Sequence, residues 1–209
     1  MTDTSTAHSA GSPVTEAPTR RKLLSRDERR AAIIHRAAEA FARTGYAATS
    51  MDAVARASGV TKLIVYRNFE SKEALYRAVL ESVSNRLAEI YLAEFEAARR
   101  PAGARALLTA AREEPDGFVL LWRHAAREVP FAPYANEFRE LVVDMTRRLI
   151  APRFDDDTAM LDWAADTLVA WNVEAVMSWL ERGDPGRDEE FLDVAARTVR
   201  AMLRTWADT

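Results

Sequence analysis

The sequence contains no cysteine. That absence rules out a disulfide framework, a thiolate zinc site and a cysteine nucleophile, and it suits a reducing compartment. Histidine is also scarce, with only His8, His35 and His124. There is no H-E-x-x-H, no Gly-rich phosphate loop and no G-x-S-x-G. Asp155-Asp156-Asp157 has the look of a metal site, but an acidic run before a helix reads more simply as an N-terminal cap. The chain is therefore expected to be no enzyme and to carry no metal or cofactor. No apolar run approaches the roughly 20 residues that span a bilayer. The N-terminal residues lack the apolar segment of a signal peptide. A cytoplasmic protein with no membrane partner is expected. Glycine and proline are few, 7 and 8 in 209 residues, and no run alternates well enough for a sheet. Lysine is rare too, 3 against 26 arginines, which reads as coding bias.

What remains is rich in helix formers. Hydrophobic residues make up 48% of the chain, enough for a real core. The net charge of -3 hides a split. Residues 20–86 hold 14 basic against 7 acidic side chains, whereas residues 87–209 hold 15 against 23. A basic block beside an acidic remainder points to a polyanion partner for the first part, or to chance on solvated helices. Residues 1–24 are rich in Ser, Thr, Ala and Pro and read as a disordered arm. Its Arg20-Arg21-Lys22 end suits a DNA minor groove or simply a solubilising tail. Beyond it the punctuation by Gly and Pro marks about nine helices. An all-α fold is expected, with residues 25–80 as one small module and 81–209 as a larger helical domain.

The small module carries the clearest pattern. Ile33, Ile34, Ala37 and Phe41 form a helical stripe, with Gly45 placed to cap it. Thr49 begins a short helix, with Asp52 completing a capping box. Ala57-Ser58-Gly59-Val60 reads as a tight turn, and Thr61 caps the next helix. Each residue advances about 100° around a helix. With Val65 and Phe69 facing inward, Leu63 and Arg67 face outward and Lys62, Ile64, Tyr66 and Asn68 flank them. Such a face suits a major groove. Arg67 can meet guanine, Leu63 a thymine methyl, and the Tyr66 phenol a phosphate. Ser71 caps a fourth helix, whose N–H groups and Lys72 favour an anion. Thr49 could hold a phosphate in the same way, or merely cap.

Gly45-Tyr46, Thr49-Ser50-Met51, Val54-Ala55, Ala57-Ser58-Gly59-Val60-Thr61-Lys62, Tyr66-Arg67-Asn68-Phe69 and Ser71-Lys72-Glu73-Ala74-Leu75, taken together, resemble the DNA-binding domain of the TetR family of bacterial regulators. The resemblance covers about Asp27 to Leu80. It implies that the third helix reads bases, that Tyr66 and Lys72 hold phosphates, that Thr49 sits near the backbone, and that Lys62 and Arg67 approach base edges. Thr61 and Leu63 complete the DNA-facing set. Many family members have a small residue where this chain has Leu63, so the operator cannot be borrowed.

The larger domain shows no comparable motif. Its long first helix, expected over about 71–99, could move or merely brace. An aromatic-rich middle suggests a small-molecule pocket, with Trp122, His124, Tyr134, Phe138, Trp171 and Asn172 as its expected lining, or as core packing. The helix from about 156 to 182 is apolar on nearly all sides, so it must be buried on more than one. With the last helix, on which Met202 and Trp206 lie, it is expected to build a four-helix homodimer interface. The resemblance implies the same assembly. The whole reads as a dimeric repressor on a near-palindromic DNA operator, released by a hydrophobic or aromatic effector. The alternative is a helical ligand-binding or protein-interaction module whose helix-turn-helix no longer works.

Overall fold

A computed structural model describes residues 25–96, 102–154 and 157–207. The expected arm over 1–24, Pro101 and Asp155-Asp156 lie outside the described residues. Among those described, all regular structure is helical, in nine α-helices.

Helix α1 (Arg26–Ala48) opens on a capping box. The Ser25 hydroxyl accepts from the Glu28 N–H at 3.1 Å, and the Glu28 carboxylate accepts from the Ser25 N–H at 2.7 Å. That backbone bond holds the Glu28 carboxyl below its ordinary value. Ile33, Ala37 and Phe41 are buried as the stripe requires. The expected stop at Gly45 is real, but the geometry is unusual. Gly45 has φ 80 and ψ 163, a region essentially reserved for glycine. Tyr46–Ala48 then add a short turn beyond it.

Helix α2 (Met51–Ala57) corrects one expectation. Its N-cap is Ser50, whose hydroxyl accepts from the Ala53 N–H at 3.1 Å. Thr49 turns inward instead and is 2% exposed. Its Oγ1 lies 2.7 Å from the Gly45 carbonyl and 2.6 Å from the Thr44 hydroxyl. The Gly45 carbonyl thus accepts from both the backbone N–H and the hydroxyl of Thr49. Helix α3 (Lys62–Asn68) starts at Thr61, which caps the Ile64 N–H, and ends where Phe69 becomes extended. Ser71 accepts from the Ala74 N–H at 3.0 Å and opens α4 (Lys72–Glu96).

Helices α5 (Ala102–Glu113) and α6 (Pro115–Val119) follow. A Cβ on Gly117 would stand 2.5 Å from Val83 Cγ2, so the glycine lets α6 press against α4. The chain then passes through a π-helical turn (Leu120–His124) and a 3₁₀ turn (Ala125–Arg127) before α7 (Ala132–Ile150). Helices α8 (Thr158–Arg182) and α9 (Asp188–Ala207) complete the chain.

Three cores result. The first holds Phe41, Val54, Val65, Leu75 and Tyr76 from the small module, and continues without a break into Leu120, Leu121 and Phe131. The second joins Leu87, Leu107, Phe118, Val173 and Met177. The third joins Ile150, Leu161, Leu168 and Leu203. Helix α8 packs on α5, α7 and α9 of its own chain. Most of its apolar circumference is therefore covered within one protomer. Trp179 belongs to that internal packing. It stacks on Phe191 at 5.0 Å and donates its indole N–H to Asp188 at 2.7 Å. What remains outward on α8 and α9 includes Trp163 and Val194, 50% and 46% exposed.

Candidate nucleic-acid interface and effector cavity

Helix α3 hangs on Val65 and Phe69, both buried. That anchoring turns Lys62, Leu63, Tyr66 and Arg67 to solvent, beside the exposed cap Thr61. Leu63 is 61% exposed, which is costly for a leucine unless something covers it. Lys62 donates to the Asp52 carboxylate at 2.9 Å, and that bond raises the affinity of its amine for the proton. Arg67 makes no ion pair among the described residues. Thr49 is the one member of the expected DNA-facing set that lies inside.

Lys72 sits where α4 begins. Its ammonium donates to the carbonyls of Tyr46 at 2.9 Å and Ala47 at 3.2 Å, and lies 4.4 Å above the centre of the Tyr46 ring. The Tyr46 ring in turn meets the edges of Tyr76 at 5.1 Å and Phe131 at 4.9 Å. Phe131 also lies 4.2 Å from Tyr76. Burial, then the carboxylates of Glu73 and Glu128, raise the Tyr46 phenol above its ordinary value. Arg30, which the sequence offers as a continuation of the basic arm, stands on α1 instead. Its guanidinium lies 4.8 Å over the Phe69 ring, at the end of α3.

A cavity of about 310 Å³ opens between α4, α5, α7 and α8. It lies at the small end of the usual range for ligand pockets. Leu87, Tyr91, Leu107 and Val142 form much of its wall, and no charged side chain lines it. Thr146 donates its hydroxyl to the Val142 carbonyl and Asn172 an amide N–H to the Leu168 carbonyl. Tyr91 and Asn172 are the other polar side chains of the lining. Leu92, Leu141 and Met145 ring the cavity, 57%, 55% and 37% exposed.

Of the six expected pocket residues, Phe138 and Asn172 line this cavity. The other four stand outside the lining. Trp122 packs behind Phe138, their ring centres 5.7 Å apart, and its buried indole N–H has no partner among the described residues. Tyr134 is bonded to Ser84 on α4 at 2.6 Å. Trp171 packs on the second core. His124 ends the π-helical turn, half-buried. The missed wall residues Leu87 and Tyr91 are four apart on α4, a spacing visible in the sequence but hidden within a long helix that also serves the first core.

A capped helix-turn-helix with a basic, phenolic outward face, joined through one long helix to a hollow helical domain, defines a DNA-binding regulator. Residues 33–79 match the family model for bacterial regulatory proteins of the tetR family. The chain is 30% identical over 172 residues to the HTH-type transcriptional activator FasR of Mycolicibacterium smegmatis, covering 78% of this chain and 77% of that protein. A TetR-like transcriptional regulator from Rhodococcus sp. RHA1 superposes with a TM-score of 0.69 at 18% identity, over 87% of this chain and 96% of that one. AibR, solved in complex with isovaleryl coenzyme A and operator DNA, superposes with a TM-score of 0.64 at 19% identity, over 82% and 98% of the two chains. The chain belongs to the TetR family of transcriptional regulators.

Proposed function

We propose that this regulator is a cytoplasmic homodimeric repressor that leaves a near-palindromic operator when an uncharged apolar molecule fills the cavity. The observation that carries the reading is the posture of Lys72. Lys72 opens α4, and its ammonium is already held on the Tyr46 and Ala47 carbonyls and over the Tyr46 ring. A fixed cation at a helix start is a prepared phosphate site. On this reading the seated Lys72 belongs to the DNA-binding arrangement, and a ligand releases the protein by favouring a different one. Arg67 reads guanine and Leu63 a thymine methyl, while Tyr66 and Lys72 hold the backbone. Thr61 and Lys62 sit at the groove edge, Lys62 exchanging Asp52 for DNA.

The effector class follows from the cavity wall. Burying an unpaired charge there would be prohibitive, so the buried part of the ligand is neutral, with one polar group for Asn172 or Tyr91. The dimer forms through the outward faces of α8 and α9, where Trp163 and Val194 are uncovered. AibR is described with both a ligand and operator DNA, which supports the same two-ligand logic here. FasR is named an activator, so the sign of control is the point to test. Footprinting on the DNA upstream of the protein's own gene should show two symmetry-related half-sites about one helical turn or more apart. Transcription from that promoter should rise when the gene is deleted. A single unsymmetrical footprint, or transcription that falls on deletion, would overturn the reading.

A further inference from the structure

We propose that Tyr46 is a positioning residue for the Lys72 ammonium, and that Phe131 makes this position depend on α7 and so on whether the cavity is filled. The inference rests on the reading of Lys72 as a phosphate contact and of the cavity as the effector site. A lysine has a long, flexible stem, and ordering it costs conformational entropy. Here one short segment does the ordering. The turn after Gly45 supplies both carbonyls that accept from Lys72 and the ring beneath it. That turn is itself held at few points. Thr49 bonds back to Gly45, and the Tyr46 ring is wedged against Tyr76 and Phe131.

Phe131 is the member that does not belong to the small module. It is fully buried, yet it immediately precedes α7. No side chain caps that end of α7. Its start is held by the Phe131 and Ala132 N–H groups on the Glu128 carbonyl, by the burial of Phe131 and by the Tyr134–Ser84 bond. Further along the same helix, Phe138, Leu141, Val142, Met145 and Thr146 form one wall of the cavity. A helix passes displacement along its length as a near-rigid rod, because packed interiors yield little. A ligand that presses on this wall moves Phe131, and Tyr46 must follow or lose its edge contact. Either way the ammonium loses its seat. Filling the cavity therefore loosens a phosphate contact without any new contact to DNA.

The chain has only three lysines, which makes Lys72 directly observable. Protein labelled with carbon-13 at the lysine side chains gives three groups of signals, and Lys72→Arg identifies one of them. The Lys72 Cε protons should be shifted upfield by the Tyr46 ring. Tyr46→Phe should keep that shift. Tyr46→Leu should abolish it and weaken binding to any duplex roughly two- to fivefold, the worth of one exposed cation–π contact. Phe131→Leu, an apolar exchange chosen to preserve folding, should move the Lys72 signal part of the way to the free-lysine position. N-phenyl-1-naphthylamine is neutral and apolar, and its fluorescence reports entry into the cavity. When bound, it should move the signal the same way in the wild type and little in Phe131→Leu. Ala106 on α5 lines the cavity, and Ala106→Phe should act as a covalent filler of the same space and decides the matter if the probe does not bind. A Lys72 signal that stays put in Phe131→Leu and in Ala106→Phe, both folded, would overturn the proposal. A signal that moves as expected while DNA affinity stays constant would leave the positioning intact and remove Lys72 from the DNA contacts.

Discussion

On the surface of α3 and its neighbours, the charged side chains differ in what holds them. Lys62 is paired with Asp52, Lys72 is seated on two carbonyls and a ring, and Arg67 has no ion-pair partner among the described residues. Their contributions to DNA binding should differ accordingly. Lys72→Ala should lower the slope of log affinity against log salt by about 0.9, the share of one neutralised phosphate. Affinity titrations at several salt concentrations on specific and random duplexes would measure it, and the loss should be equal on both. Thr49 should behave in the opposite manner. Its hydroxyl is buried beside the Gly45 carbonyl and the Thr44 hydroxyl. Thr49→Val should cost about 0.5–1.5 kcal/mol of stability by removing buried hydrogen bonds whose other partners stay paired, and should leave the DNA affinity of the folded fraction unchanged. Denaturant titration and anisotropy, run together, separate the two effects. The alternation of faces on α3 was legible in the sequence because Val65 and Phe69 fix it. The inward turn of Thr49 was not, because a hydroxyl one residue before a helix serves equally as a cap or as a partner to the preceding turn.

At the scale of elements, two junctions set the geometry. The first is Gly45, whose φ of 80 with ψ of 163 ends the regular part of α1. No neighbouring atom would meet a Cβ there, so the restriction is in the backbone alone. Gly45→Ala should therefore cost about 1–3 kcal/mol and loosen the Lys72 seat as well, read as a lower melting temperature and a downfield move of the Lys72 Cε protons. The second junction is between α8 and α9, where Asp188 accepts from Arg112 at 2.8 Å and from the Trp179 indole. The Arg112 bond, ahead of the opposing effect of burial, holds the Asp188 carboxyl below its ordinary 3.8. A depressed carboxylate stabilises the fold above its unfolded value and loses that contribution as pH falls through its folded one. The melting temperature of the wild type should thus drop between neutral pH and pH values below 3.8 more than that of Asp188→Asn. Parallel curves would show that the pair contributes nothing. The sequence marked the gap between these helices through Gly183-Asp184-Pro185-Gly186. It did not mark the ion pair, whose partners lie 76 residues apart.

At the scale of the molecule, the first core runs from α1 to the start of α7, so the reading head and the hollow domain share packed side chains. A surface contact joins the same units: the His35 ring on α1 lies 3.2 Å from the Glu114 carboxylate just before α6. Fold class was legible from periodicity and punctuation, because nearly every helix keeps its apolar stripe. The π-helical turn and the cavity were not, since both depend on how four helices meet. The aromatics were a poor guide to the cavity because large rings fill space more often than they line it. The apolar breadth of α8 pointed to a dimer, but three neighbours in the same chain account for most of it. The exposed Trp163, which meets Trp206 at 4.8 Å, is the sharper marker. Trp163→Glu should give a folded monomer with weak operator binding, whereas the wild type should sediment as a dimer at micromolar concentration. A wild-type monomer would remove the two-fold arrangement.

The central claim is that the outward face of α3 reads DNA sequence, and Arg67 tests it most directly. The measurement is the ratio of affinities for the upstream DNA and for a random duplex, at one salt concentration, for the wild type and for Arg67→Ala. If Arg67 meets a guanine edge, Arg67→Ala should lose about 1–3 kcal/mol on the specific duplex and much less on the random one, so the ratio should collapse while the fold is retained. A folded Arg67→Ala protein that keeps the wild-type ratio would contradict the account.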